Sequence, residues 1–117
     1  PQDLVEARRL MCLAAEQGYS DAQYSIAKML FDGSGGPEDL VEARRLFRLA
    51  AEQGGANAQY ALGQMHLDGK GGQQDLVEAR RLYSLAAAQG HTDAQFALGQ
   101  MLSMGEGGPK DLVEARR

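Results

Sequence analysis

A 36-residue period constrains this chain more than any other feature. The heptapeptide Asp-Leu-Val-Glu-Ala-Arg-Arg occurs four times, at Asp3 to Arg9, Asp39 to Arg45, Asp75 to Arg81 and Asp111 to Arg117. A strict period in this range marks a repeat architecture, in which a unit too small to bury its own apolar face stacks on its neighbours. The heptapeptide also indicates what is repeated. Asp3 followed by Glu6 reads as a capping box, the aspartate accepting a free backbone N–H and the glutamate reaching back to the cap residue. Leu4, Ala7, Leu10, Met11 and Ala14 then recur at helical spacing. Gly18 closes the helix, in a Gln-Gly pair repeated at Gln53-Gly54 and Gln89-Gly90. This is the B helix of each unit.

A second, A helix is expected after a short turn, starting near Asp21, Asn57 and Asp93, each a good N-cap type. Its inward stripe reads Ala22, Ile26, Ala27 and Leu30, then Ala58, Leu62, Gly63 and His66, then Ala94, Leu98, Gly99 and Leu102; Gly33, Gly69 and Gly105 end it. Gly63 and Gly99 each cost about 1 kcal/mol against alanine inside a helix. That cost implies a close approach, expected to the Ala-Ala pairs Ala14-Ala15, Ala50-Ala51 and Ala86-Ala87. With no tryptophan and 6% aromatic residues, the interior must be filled by Leu, Ala, Val and Met, which suits packed helices better than a β-sandwich. The expected fold is all-α: an α/α superhelix, or solenoid, of antiparallel helix pairs. One array covers residues 1–117, as a partial unit 1–20, units at about 21–56 and 57–92, and a truncated third unit 93–117. Because the last heptapeptide stops a few residues into a helix, the chain is read as part of a longer protein.

Net charge and residue types narrow the function. A formal charge of −4 provides no basic field for counterion release, so nucleic acid is not an expected partner. No apolar run has the length of a membrane span, and no membrane contact is expected from this segment. His66 and His91 fall in different structural phases, so no metal site is expected. His66 replaces an apolar phase and should be half-buried and hydrogen-bonded, whereas His91 should be solvated. Cys12 shares its phase with Arg48 and Ser84, and sits with Val5, Arg9 and Glu16 on the outward face of the B helix, which makes it an exposed thiol with no neighbouring base. The loops at Gly33, Gly69 and Gly105 follow a helix, whereas a phosphate loop follows a strand and continues into Gly-Lys-Ser or Gly-Lys-Thr. No catalytic residue and no cofactor are assigned. The Arg pairs are expected on the outer ridge, Arg9, Arg45 and Arg81 pairing with Glu6, Glu42 and Glu78 at roughly 0.2–0.5 kcal/mol each.

Ala-Gln-Tyr-Ala-Leu-Gly-Gln-Met at 58–65, Gly-Lys-Gly at 69–71, Asp75 with Ala79, and Leu-Ala-Ala-Ala-Gln-Gly at 85–90 follow one another in order. In this succession the chain resembles the Sel1-like repeat family. The 36-residue period and the Gly-x-Gly loop separate it from tetratricopeptide repeats, whose period is about 34 residues. The resemblance implies a right-handed superhelix used as an adaptor or scaffold for protein complexes, with the A helices on the concave side. Two phases depart from the family pattern. Gly36, Gly72 and Gly108 stand where valine is usual, for which looser loops are expected, and Leu30, His66 and Leu102 stand where tyrosine is usual.

Opposite the inward stripe of the A helix lie Tyr24, Lys28 and Phe31, repeated as Tyr60, Gln64 and Leu67 and as Phe96, Gln100 and Ser103. This ladder of aromatic and variable polar residues is the candidate site. It fits a protein or peptide partner, with the aromatics as anchors or as packing between adjacent A helices and the polar members as hydrogen-bonding groups. The expected function is a non-catalytic interaction scaffold. The alternative is end-to-end self-association through the apolar repeat edges, from Leu4 and Leu10 to Leu112 and Val113. A third reading, hydrolase or β-lactam-binding activity as proposed for cysteine-rich relatives, is not carried over to a chain with Cys12 alone.

Overall fold

The computed structural model describes residues 3–106. The fourth heptapeptide, Gly108 and the Leu112-Val113 edge lie outside the described residues. Six helices of 13 residues each follow in order: α1 (Leu4–Glu16), α2 (Ser20–Asp32), α3 (Leu40–Glu52), α4 (Ala56–Asp68), α5 (Leu76–Ala88) and α6 (Thr92–Met104). The first, third and fifth are B helices and the others A helices. All substantial helix–helix packing is between sequence neighbours, as the solenoid expectation requires, and the array measures 50 × 25 × 24 Å.

The B helices start where the heptapeptide places them. The Asp3, Asp39 and Asp75 carboxylates accept from the backbone N–H of Glu6, Glu42 and Glu78 at 3.0–3.1 Å. At Asp39 and Asp75 the reciprocal half of the expected capping box is replaced, the cap N–H groups donating to the Leu30 and His66 carbonyls at 2.8 Å. Each glutamate instead holds an arginine three residues on through two hydrogen bonds of 2.6–2.7 Å, a charge-assisted fork stronger than a neutral bond to a backbone amide. The A helices start earlier than expected, with Tyr19, Gly55 and His91 as caps, so that Asp21, Asn57 and Asp93 lie within the first turn. Gly33, Gly69 and Gly105 end them in the left-handed conformation, at φ of 76°, 69° and 70°.

The core is built between units. Phe47 and Tyr83, at a phase that varies between copies, are 3% and 0% exposed, so variation does not mark the surface here. A Cβ on Gly63 would stand 2.9 Å from Tyr83 Cε1. The glycine therefore makes room for the tyrosine of the next B helix and not for an Ala-Ala pair. Among the described residues nothing stands within 4 Å of the same atom built on Gly99. Cys12 is half-buried against the core and not an outward thiol, and it lines a hollow with Glu42, Arg45 and Leu46 of the next unit.

The Arg pair divides between two environments. Arg9, Arg45 and Arg81 lie on the surface as expected. Arg8 and Arg44, placed on the outer ridge by the sequence reading, turn inward. Arg8 Nη2 donates to the Met29 and Pro37 carbonyls at 3.0 Å. Arg44, 7% exposed, donates from Nη2 to His66 Nδ1 and to the Gln73 carbonyl, both at 2.8 Å. Each guanidinium thus ties the end of an A helix to the loop that leads onward. A Cβ on Gly36 would overlap Arg8 Nη1, and one on Gly72 would overlap Arg44 Nη1. The third glycine of the loop therefore admits an arginine clamp, so the loops at Gly36 and Gly72 are pinned and not loosened.

Candidate functional site

The ladder residues project from α2, α4 and α6 into two hollows on one face. The first, of about 360 Å³, lies between α2 and α4 and is lined by Tyr24, Lys28, Phe31, Tyr60 and Gln64 of the expected set, with Asp32, Phe47, Ala61, Met65, Asp68 and Lys70. The second, of about 580 Å³, lies between α4 and α6. Tyr60, Gln64, Leu67, Phe96 and Gln100 line it with Tyr83, Asp93, Met101, Met104 and Glu106 among others. Tyr60 and Gln64 line both, so the two hollows adjoin on one face, a groove in two parts with a shared wall. Eight of the nine expected residues line it. Ser103 is not among them; its hydroxyl donates to the Gln100 carbonyl at 3.0 Å.

Within the groove the aromatics are positioned by packing, while Phe96 is exposed. Tyr24 packs on Phe47, and Tyr60 on Tyr83, each with ring centroids 5.7 Å apart. Lys28 Nζ sits 5.7 Å from the Tyr24 ring centre, and Lys70 Nζ sits 5.1 Å from that of Phe31. Phe96, by contrast, keeps 70% of its surface exposed.

Gln64 differs from the free hydrogen-bonding group expected of it. The Tyr83 hydroxyl donates to Gln64 Oε1 at 2.8 Å, and Gln64 Nε2 donates to the Tyr60 hydroxyl at 2.7 Å. The amide holds two aromatic rings in register. The Tyr60 hydroxyl, accepting from Gln64, keeps its own proton for another acceptor. Burial pushes the Tyr83 hydroxyl well above its usual pKa, so it remains a donor.

Sequence reasoning missed three polar groups. His91 is not simply solvated: its Nδ1 accepts from Ala94 N–H at 3.1 Å, its Nε2 meets Asn57 Oδ1 at 3.0 Å, and its ring stacks on Tyr60 at 4.8 Å. The cap bond requires Nδ1 to be unprotonated, so Nε2 is the donor to Asn57. A glutamine ladder joins the units. Gln53 Nε2 donates to Gln23 Oε1 at 2.7 Å, and Gln89 Nε2 to Gln59 Oε1 at 2.9 Å. Gln23 and Gln59, 4% and 5% exposed, in turn cap carbonyls at the ends of the preceding B helices, those of Ala15 and Ala51, at 3.4 Å. The third group is the inward arginine. The sequence signals were the constancy of both glutamines between copies and the spacing of Arg8, which falls in line with Leu4, Met11 and Ala15.

His66 is 9% exposed. Because arginine can only donate, Arg44 fixes His66 Nδ1 as an acceptor. Burial first, and then the Arg44 charge, lower the His66 pKa below its usual value, partly offset by Glu78 and Asp75. Among the described residues no group of three or more His, Cys, Asp or Glu side chains could hold a metal ion, and no helix is long and apolar enough to cross a membrane.

Helix pairs stacked one repeat after another define the class: a helical-repeat protein. The Sel1 repeat matches residues 1–19, 20–55, 56–91 and 92–117, and the chain belongs to the Sel1 repeat family, whose repeats typically mediate protein binding. Among solved structures it is similar to c5321, a protective antigen of uropathogenic Escherichia coli strains displaying an SLR fold. The identity is 39% with a TM-score of 0.90, over 92% of this chain and 23% of that one. It is also similar to a Sel1 repeat protein from Oxalobacter formigenes, at 32% identity and a TM-score of 0.87, over 92% of this chain and 44% of that one. The chain thus spans less than half the length of either. No curated protein matches it.

Proposed function

We propose that the chain is a non-catalytic scaffold that binds an extended or helical segment of a partner protein along the groove of α2, α4 and α6. The observation that carries this reading is the adjacency of two aromatic-lined hollows that share Tyr60 and Gln64 as a common wall. Aromatic walls fixed by packing give a ligand preformed anchor sites at low ordering cost. The Tyr60 hydroxyl, Lys28 and Gln100 provide polar contacts along the rim. Panning a random peptide display library on the immobilised chain tests it. Phe96→Ala and Lys28→Ala, both at exposed positions, should weaken the selected peptides at least fivefold with unchanged helicity. Binding that survives both but falls on Val41→Ala, on the B face, would reject the groove.

A second reading, head-to-tail association of copies, is favoured by exposed apolar groups on the first and last of the described helix pairs: Leu10 at 52% and Tyr19 at 61%, Phe96 at 70% and Met104 at 67%. Light scattering that reports a monomer at millimolar concentration would remove it.

A further inference from the structure

The two hollows are the same construction one repeat apart. Adding 36 to Tyr24, Phe47, Tyr60, Ala61 and Met65 gives Tyr60, Tyr83, Phe96, Ala97 and Met101, which stand in the corresponding places. The shape is repeated and the charge is not. The first hollow carries two cations, Lys28 and Lys70, with two anions, Asp32 and Asp68. Both lysines lie over aromatic rings that the hollow itself provides. In the second hollow the same phases hold Gln64 for Lys28, Glu106 for Lys70 and Met104 for Asp68. Asp93 adds a second acid, and among the described residues no lysine or arginine lines it.

On the reading that this groove is the binding face, we infer that its occupant is a protein segment with two apolar anchors, one per hollow, and with an arginine or lysine beside the anchor of the second. The first hollow provides its own cations, and its ring faces over Tyr24 and Phe31 are taken. The second presents two carboxylates and the exposed Phe96 ring, which together favour a cation from outside. A guanidinium can lie on the ring face while its N–H groups meet a carboxylate.

The test uses the library selection above, read for sequence. Enrichment of Arg or Lys next to an apolar residue is expected. In a synthetic copy of a selected peptide, Arg→Gln should weaken binding about five- to tenfold at low salt, the sum of one cation–π contact and one or two exposed ion pairs. Asp93→Asn combined with Glu106→Gln should erase that difference, and Lys28→Gln should leave it. Selected peptides that lack basic residues yet lose affinity on Phe96→Ala would overturn the charge inference and keep the groove. A selection that yields no binder sensitive to Phe96→Ala would overturn both.

Discussion

At the residue scale, the Arg pair shows how one repeated dipeptide performs two tasks. Arg45 lies on the surface beside Glu42 and holds it below its usual pKa. Exposed pairs of this kind contribute little, so Arg45→Ala should cost about 0.3–0.5 kcal/mol. Arg44→Ala removes bonds to His66 Nδ1 and to the Gln73 carbonyl and leaves the buried His66 acceptor unpaired, which should cost about 1–3 kcal/mol. Urea denaturation of the two variants checks the contrast. His66 adds a pH dependence. Its folded pKa lies below the ordinary 6.5, so the unfolded chain takes up the proton first. The stability is therefore complete above about pH 6.5 and falls as the pH drops from there toward the folded pKa. His66→Leu, which places here the residue that units 1 and 3 carry as Leu30 and Leu102, should flatten the urea midpoint between pH 7.5 and 5.5. An unchanged slope would exclude His66 as its source.

At the element scale, the loop glycines are not equivalent. Gly71 has φ of 72°, and a Cβ there would overlap the Leu40 carbonyl. Gly54 has φ of 94° with nothing within 4 Å of a Cβ. Gly54→Ala should therefore cost only the left-handed backbone strain, about 1–2 kcal/mol, and Gly71→Ala clearly more, as a larger loss in thermal midpoint. The helices, the B-helix starts and the closing glycines were legible in the sequence because caps and apolar spacing agreed there. What stayed hidden were long-range partners. Residue type argued that Arg8 was solvent-facing although its spacing set it in line with Leu4 and Met11. Gln23 and Gln59 hold the same phase in successive copies, but nothing in the sequence pairs them with Gln53 and Gln89, which complete a ladder. The A-helix starts were misplaced because Asp21 and Asn57 are good cap types, whereas the turns after Gly18 and Gly54 bring Tyr19 and Gly55 to the cap position.

At the scale of the whole molecule, packing only between neighbours makes protection depend on position. The helices α3 and α4 are covered by units on both sides, while α1 keeps Leu4, Leu10 and Leu13 at 41%, 52% and 45% exposure. Amide exchange should be slowest in α3 and α4 and at least tenfold faster in α1. The groove face was half legible. Helical geometry put Tyr24, Tyr60 and Phe96 on one side, but only the packed structure shows Gln64 committed to Tyr60 and Tyr83. The central claim is that this face receives the partner. Amide chemical-shift mapping of the labelled chain, titrated with a library-selected peptide, tests it most directly. The account predicts shifts centred on α2, α4 and α6 around Phe31, Tyr60 and Phe96, with the B face around Val41 and Val77 silent; shifts centred on α3 and α5 at those valines would contradict it.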